Sequence, residues 1–303
     1  MKIGVATHHI CCYNVAAVQS SQIKREDIVM AGKLYIVGTP IGNLGDLSPR
    51  AVETLRAADF IAAEDTRVTV KLLNHFEIST PMTSYHEHNL RERGEYIMER
   101  IENGESCALV TDAGMPAISD PGEDLVRLAH SHGIRVETVP GPTAMATALA
   151  LSGMNVGRFC FEGFLTTVKS NRFKRLESLK AEERTLVFYE APHKLMNTLK
   201  DMLSFFGDRE IALCKELTKL HESVFKTTLS GAIAHYSEVP PKGEFVLVVS
   251  GAEKQTVTFS LEEAVARAQN LLNSGMPATM AAKTAAKETG IKKGDIYKVL
   301  TAE

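Results

Sequence analysis

The chain has 303 residues, 44% of them hydrophobic and 23% charged, with a formal net charge of −3. That is enough ordinary, soluble-type sequence for two domains with real cores, and the near-neutral balance excludes binding a polyanion through the field of the whole molecule. Five cysteines in odd number, with no Cys-x-x-Cys pair, exclude a disulfide framework and point to a reducing cytoplasm, and no apolar run approaches the length of a bilayer span.

In chain order, residues 1–30 read as a poorly ordered extension. Met30-Ala31-Gly32 stands just ahead of the first strand, where a natural start would fall. Leu34-Tyr35-Ile36-Val37 predicts a buried parallel strand, followed by the glycine- and proline-rich loop Gly38 to Gly45. Ser48 then caps a helix with Pro49 at its first position. Phe60-Ile61-Ala62-Ala63 predicts the next strand, ending on the polar cluster Glu64-Asp65-Thr66-Arg67. A short strand at Met82 to Tyr85 and an amphipathic helix from Arg91 to Asn103 follow.

Cys107-Ala108-Leu109-Val110 predicts a central strand. It runs into a second glycine- and proline-rich loop, Asp112 to Gly122, and then a helix from Asp124 to His132. Val136 to Val139 leads to a third such turn, Pro140-Gly141-Pro142-Thr143-Ala144. This winding predicts an α/β fold with helices on both faces of a mostly parallel sheet, and ligand-binding loops beyond the strands' carboxyl ends. The expected domains are 31–153, a second α/β domain over 154–252 with strands near 185–189, 211–214, 224–229 and 245–249 and intervening helices, and a small helical domain over 253–303.

Familiar nucleotide and metal signatures are missing. There is no G-x-G-x-x-G after the first strand, no Walker loop and no G-x-S-x-G elbow, and His86-Glu87-His88 lacks companions at zinc-like spacing. No metal is expected.

Seven collinear segments resemble the tetrapyrrole methylase superfamily, and within it the ribosomal RNA small subunit methyltransferase I branch. They are Gly38 to Gly45, Glu64 to Arg67, Thr111 to Gly122, Pro140 to Ala144, Tyr189-Glu190-Ala191-Pro192-His193-Lys194, Lys215 to Lys219 and Lys242 to Phe245. The resemblance runs from Gly32 to the end of the chain. It implies two α/β domains with S-adenosylmethionine in the cleft between them, methyl transfer to a cytidine 2′-hydroxyl in the decoding region of 16S rRNA, and a homodimer. It assigns the cofactor to Thr39, Pro40, Ile41, Asp112, Gly114, Met115, Ile118, Ser119, Pro140, Pro142, Thr143, Ala144, Phe188 and Tyr189. Met115 departs from the pattern, which has a threonine there, and this removes a hydroxyl but leaves the backbone cradle.

These residue types suit that chemistry. Glycine and proline let main chain approach a bent ligand, Asp112 can accept from ribose hydroxyls or the methionine ammonium, and the Thr143 and Ala144 amides begin a helix that can receive a carboxylate. Candidate bases for the 2′-hydroxyl are Glu64, Asp65, Glu190 and His193, with Glu190 favoured. Glu190 to His193 also fits a capped helix start, and Glu64 to Arg67 an internal ion pair.

RNA contact is expected from Asn171-Arg172-Phe173-Lys174-Arg175, where a ring is interleaved with cations, and from Arg67, Lys194, Lys215, Lys219 and Lys242. An amphipathic helix with a solvated basic face is the commoner explanation for Arg172, Lys174 and Arg175. The lysines of the tail, Lys283, Lys287, Lys292, Lys293 and Lys298, suit either docking on the ribosomal subunit or a capping mini-bundle. A tetrapyrrole or other small-molecule methyltransferase, and a noncatalytic RNA-binding assembly factor, remain the alternative functions.

Overall fold

The computed structural model describes residues 32–253 and 259–301. The expected extension over residues 1–30 lies outside the described residues. From Gly32 onward the chain divides into two units. The first holds residues to Pro40 and Leu44–Pro142, and the second holds Ile41–Asn43 and the chain from Thr143.

In the first unit β1 (Lys33–Val37), α1 (Pro49–Ala57), β2 (Phe60–Ala63), α2 (Thr66–His75), β3 (Met82–Ser84), α3 (Leu90–Glu102), β4 (Cys107–Val110), α4 (Glu123–Ser131) and β5 (Arg135–Val139) alternate. The five strands pair in the order β3-β2-β4-β1-β5, all parallel. β2 and β4 are buried along their whole length because both sheet faces are covered, which is why they read as unbroken apolar runs. Alternate side chains go to opposite faces. Leu34, Ile36, Phe60, Ala62 and Leu109 pack with Ile97, Met98 and Ile101 of α3 and Leu125 and Ala129 of α4, while Val37, Ile61, Ala63, Ala108 and Val110 pack with Ala51 and Leu55 of α1 and Leu73 of α2. Ser48 accepts the Ala51 amide at 3.1 Å and starts α1 as expected.

The second unit runs α5 (Ala144–Ser152), β6 (Phe159–Phe164), α6 (Lys169–Leu179), β7 (Thr185–Glu190), α7 (Pro192–Phe206), β8 (Glu210–Lys215), β9 (Ser223–Thr228), α8 (Leu229–Glu238) and β10 (Phe245–Val249). Its sheet order is β6-β7-β10-β8-β9. Only β6 and β7 are parallel, and β10 runs antiparallel to both its neighbours. No helix separates β8 from β9: they form a hairpin whose loop holds Glu216 and Thr218 at φ of 52° and 64°.

The expected boundary at residues 153/154 does not match this division, which falls between Pro142 and Thr143. α5 accounts for the difference. Its Ala148 and Leu149 pack on Val187, Ala212, Cys214, Val246 and Val248, covering the face of the second sheet opposite to α6, α7 and α8.

Three further helices, α9 (Leu261–Asn273), α10 (Ala278–Thr289) and α11 (Lys293–Leu300), have a core of their own in Ala264, Ala268, Ala282, Ala285 and Ile296. Ser260 and Glu263 form a capping box at the start of α9. Gly290, left-handed at φ 75°, ends α10. Among the described residues no helix is long and apolar enough to cross a membrane.

Candidate active site

In the first unit the loops after β1, β4 and β5 are locked to one another through their main chains. Thr39 and Gly114 exchange both backbone hydrogen bonds, at 2.9 and 3.1 Å, and the Thr39 hydroxyl donates to the Thr111 carbonyl at 3.1 Å. Gly38 lies so close to Gly141 that a Cβ on Gly38 would come within 2.7 Å of Gly141 backbone atoms, and the reverse substitution within 2.9 Å of Gly38. The Met115 sulfur sits against both glycines and accepts the Gly141 amide at 3.3 Å. Where the resemblance led to a threonine, a thioether therefore fastens the third loop to the second.

Carboxylates gather on this same edge. The Asp65 amide donates to Asp112 Oδ1 at 3.2 Å, and the Asp112 amide points at Glu64 Oε2 at 3.4 Å. Burial raises the affinity of Glu64 for a proton, and the charges of Asp112, Glu87 and Asp65 add to it against the Asp112 amide, which lowers it. Burial likewise raises Asp112. Asp120 is pushed up to about 6, by burial first and then by Glu64 and Asp112. Its loop is strained, since Ala117 and Ser119 both have φ of 67° without being glycine. The Thr111 hydroxyl is buried without a hydrogen-bond partner. Among the described residues no three His, Cys, Asp or Glu side chains are grouped to hold a metal ion.

Asp65 stands apart from the other carboxylates. Its side chain accepts the Arg67 amide at 2.8 Å as the cap of α2 and takes the Arg67 guanidinium at 2.6 Å, which brings it down to about 2. It is an ion pair at a helix start, and a poor base. The Arg67 side chain stays largely exposed.

In the second unit Ile41 packs with Ala144, Met145, Phe161 and Tyr189 against the sheet. The Tyr189 hydroxyl accepts the Met145 amide at 3.1 Å, so it caps the first turn of α5, and the Tyr189 ring is flanked edge-on by Phe161 and Phe164. Thr143 is the N-cap residue of α5 and makes no side-chain cap of its own.

Several expected roles require correction. Phe188, assigned to the cofactor, is fully buried among Leu186, Leu195, Leu199 and Leu247, because neighbouring residues of β7 point to opposite faces and Tyr189 takes the other one. Glu190, the favoured base, is 4% exposed, and both its oxygens are engaged: Oε1 accepts the Ala191 amide at 2.9 Å and Oε2 the Thr198 hydroxyl at 2.5 Å. It braces the start of α7, while His193 in the first turn of that helix is exposed.

Among the expected RNA ligands, Arg172 bonds Asp201 at 2.8 Å and the carbonyls of Thr166 and Thr167 at 3.2 and 3.1 Å, tying α6 to α7. Arg175 bonds Glu162 at 2.7 Å, and Lys219 is held between Glu216 and Glu244 at 3.0 and 2.7 Å. Lys174 and Lys242 are exposed, and Lys194 and Lys215 are half-buried. Asp120 and Glu87 were not expected as site residues. The signal for Asp120 was its place inside the 112–122 loop, where a carboxylate is a costly neighbour for Asp112.

The family model described as Tetrapyrrole (Corrin/Porphyrin) Methylases matches residues 33–233. The chain belongs to this family. The match runs from β1 into α8 and leaves α9 to α11 outside it. Among similar proteins, the ribosomal RNA small subunit methyltransferase I of Synechocystis sp. is 47% identical over 270 residues, which cover 88% of this chain and 97% of that protein. The protein of the same name from Thermotoga maritima is 49% identical over 222 residues, 73% of this chain and 100% of its own length. A solved structure of cobalt precorrin-4 methyltransferase, a cobalamin biosynthetic enzyme, superposes with a TM-score of 0.55 at 19% identity, covering 71% of this chain and 94% of that one. It shares the family's fold.

Two outcomes follow. Gly38→Ala should cost about 1–3 kcal/mol through forced separation of the two loops, seen as a lower midpoint in urea. Glu190→Ala should cost about 1–3 kcal/mol by stranding the Thr198 hydroxyl and the Ala191 amide, with turnover of the folded protein retained. A stable Glu190→Ala protein without activity would restore Glu190 as the base.

Proposed function

We propose that this chain transfers the methyl group of S-adenosylmethionine to the ribose 2′-hydroxyl of a cytidine in the decoding region of 16S rRNA within the small ribosomal subunit. The observation that carries the reading is the 47% identity along 97% of a relative named for that RNA, with the family match running over residues 33–233. The reading includes a homodimer at work in the cytoplasm, where the free thiols of Cys107, Cys160 and Cys214 stay reduced.

The first unit suits the donor. Its edge carries Glu64, Asp112 and Asp120 with raised proton affinities, meaning carboxylates short of a counter-charge, beside a buried Thr111 hydroxyl with no partner. A molecule with a sulfonium, an ammonium and a ribose diol answers both deficits. Asp112 and Glu64 would hold its polar groups, and the main chain of Thr39, Pro40, Gly114, Met115, Ile118, Ser119, Pro140 and Pro142 would shape the seat. When bound, S-adenosylmethionine supplies a methyl on positively charged sulfur, open to in-line displacement.

The chain's remaining task is to accept the proton of a weakly acidic hydroxyl. Asp65 is held ionised by Arg67, and Glu190 has both oxygens engaged. We assign the proton to Asp120, which is pushed up to about 6 by burial and then by the charges of Glu64 and Asp112. Glu64, raised by burial, stands next to it in this role.

Incubating the protein with labelled S-adenosylmethionine and unmodified small subunits, then mapping 2′-O-methylation, tests the function. Label on a cytidine ribose of the rRNA is the expected outcome, and its absence rejects the reading. Asp120→Asn tests the base and should lower kcat about 100-fold or more, a larger effect than the loss of S-adenosylmethionine affinity expected from removing one of the carboxylates on the donor's edge. The same variant has a pH signature. Because the folded protein raises Asp120 above its ordinary 3.8, ionisation destabilises the fold as pH rises from 3.8 through about 6. Asp120→Asn should therefore raise the melting temperature of donor-free protein above that window, and the gain should vanish below it.

A further inference from the structure

The helices α9 to α11 lie beyond the family match, which stops at residue 233. The Thermotoga maritima relative is spanned in full by 222 aligned residues, 73% of this chain. A body with its own alanine and isoleucine core, added after the two α/β units, calls for a purpose of its own.

Its charge is sorted. From Ala278 to Leu300 there are five lysines, Lys283, Lys287, Lys292, Lys293 and Lys298, against two acids, Glu288 and Asp295, an excess of 5 − 2 = 3 positive charges. Glu288 is turned toward α9, where Arg267 bonds it at 3.1 Å, and the acids Glu262 and Glu263 belong to the first turn of α9. All five lysines are exposed, and none makes an ion pair among the described residues.

Helical spacing groups these cations. Ala281, Ala282, Ala285 and Thr289 of α10 point inward, so Met280, Lys283 and Lys287 form one outward stripe at i, i+3 and i+7. On α11 Ile296 points inward, while Lys293 and Tyr297, at i and i+4, are both exposed and Lys298 adjoins them. Lys292 and Lys293 stand at the N-cap and first position of α11. Helix electrostatics disfavour cations there, so these lysines do not serve the stability of the helix. Exposed cations interleaved with a ring, without acidic partners, complement a phosphate backbone with accessible bases.

We propose that the α10–α11 face is a docking surface for the RNA phosphate backbone, which holds the substrate apart from the methyl-transfer chemistry. This rests on the rRNA methyltransferase reading above. The surface raises local substrate concentration and contributes to KM, leaving kcat to the loops of the first unit.

The test uses the full chain with Lys283→Gln, Lys287→Gln, Lys293→Gln and Lys298→Gln combined, and the matching Lys→Arg set as control. Binding to unmodified small subunits and to protein-free 16S rRNA is measured across salt concentrations, together with methyl transfer and S-adenosylmethionine affinity. The glutamine set should weaken binding to both about 10-fold or more and flatten the salt slope by up to about 3. KM should rise with kcat and cofactor affinity unchanged, and the arginine set should restore binding.

Wild-type affinity and slope in the glutamine set would overturn the proposal, as would a loss of kcat at constant KM. A defect seen with subunits but absent with protein-free rRNA would overturn it too, since the partner would then be an acidic protein surface. Failure of the parent reading looks different: wild-type protein would transfer no methyl to rRNA, whatever the lysines do.

Discussion

The site in the first unit depends on two peptides that touch. Gly38 and Gly141 leave no room for a side-chain carbon at either position, and the two-way pairing of Thr39 with Gly114 holds the second loop in the same arrangement. Loops normally wander, because an isolated turn has few contacts to oppose its conformational entropy. Here the first loop is paired to the second by main chain and packed directly against the third, so the arrangement follows the parallel strands beneath. Met115 fills the remaining gap with a flexible thioether, a side chain suited to irregular spaces.

That rigid frame explains why unfavourable electrostatics are tolerated. Glu64, Asp112 and Asp120 are partly shielded from water and raise one another's proton affinity, while Arg67 forms its ion pair with Asp65 and acts on Asp112 only from a distance. A protein maximising its own stability would separate such groups or pair each of them. Crowding them on the edge where the strands end leaves a demand for positive charge, which is the ground for the donor seat proposed above.

Much of this was legible in the residues. β1, β2 and β4 announced themselves because strands covered on both faces leave uninterrupted apolar runs, and the glycine and proline loops mark their carboxyl ends. Other features were hidden for physical reasons. α5, with the sequence Ala-Met-Ala-Thr-Ala-Leu-Ala-Leu-Ser, is apolar all round, so no stripe shows which sheet it covers. Phe188 and Tyr189 are both aromatic, and composition cannot say which of two neighbours faces the core. Glu190 before Pro192 fits a base and a helix brace equally well, and only the position of the Thr198 hydroxyl, eight residues on, separates the two. Arg172 has its acidic partner at Asp201, 29 residues away, beyond the reach of local patterning.

The central strand of the second sheet is also the last of that sheet to be synthesised. β7 and β8 each have a hydrogen-bonding edge that only β10 fills, so both stay open until Val249 has left the ribosome. The first sheet, by contrast, has all its strands once Val139 has emerged. Synthesis therefore delivers a finished amino-terminal half attached to a carboxy-terminal half with two exposed edges, the kind of intermediate that pairs with neighbouring chains when translation stalls or runs crowded.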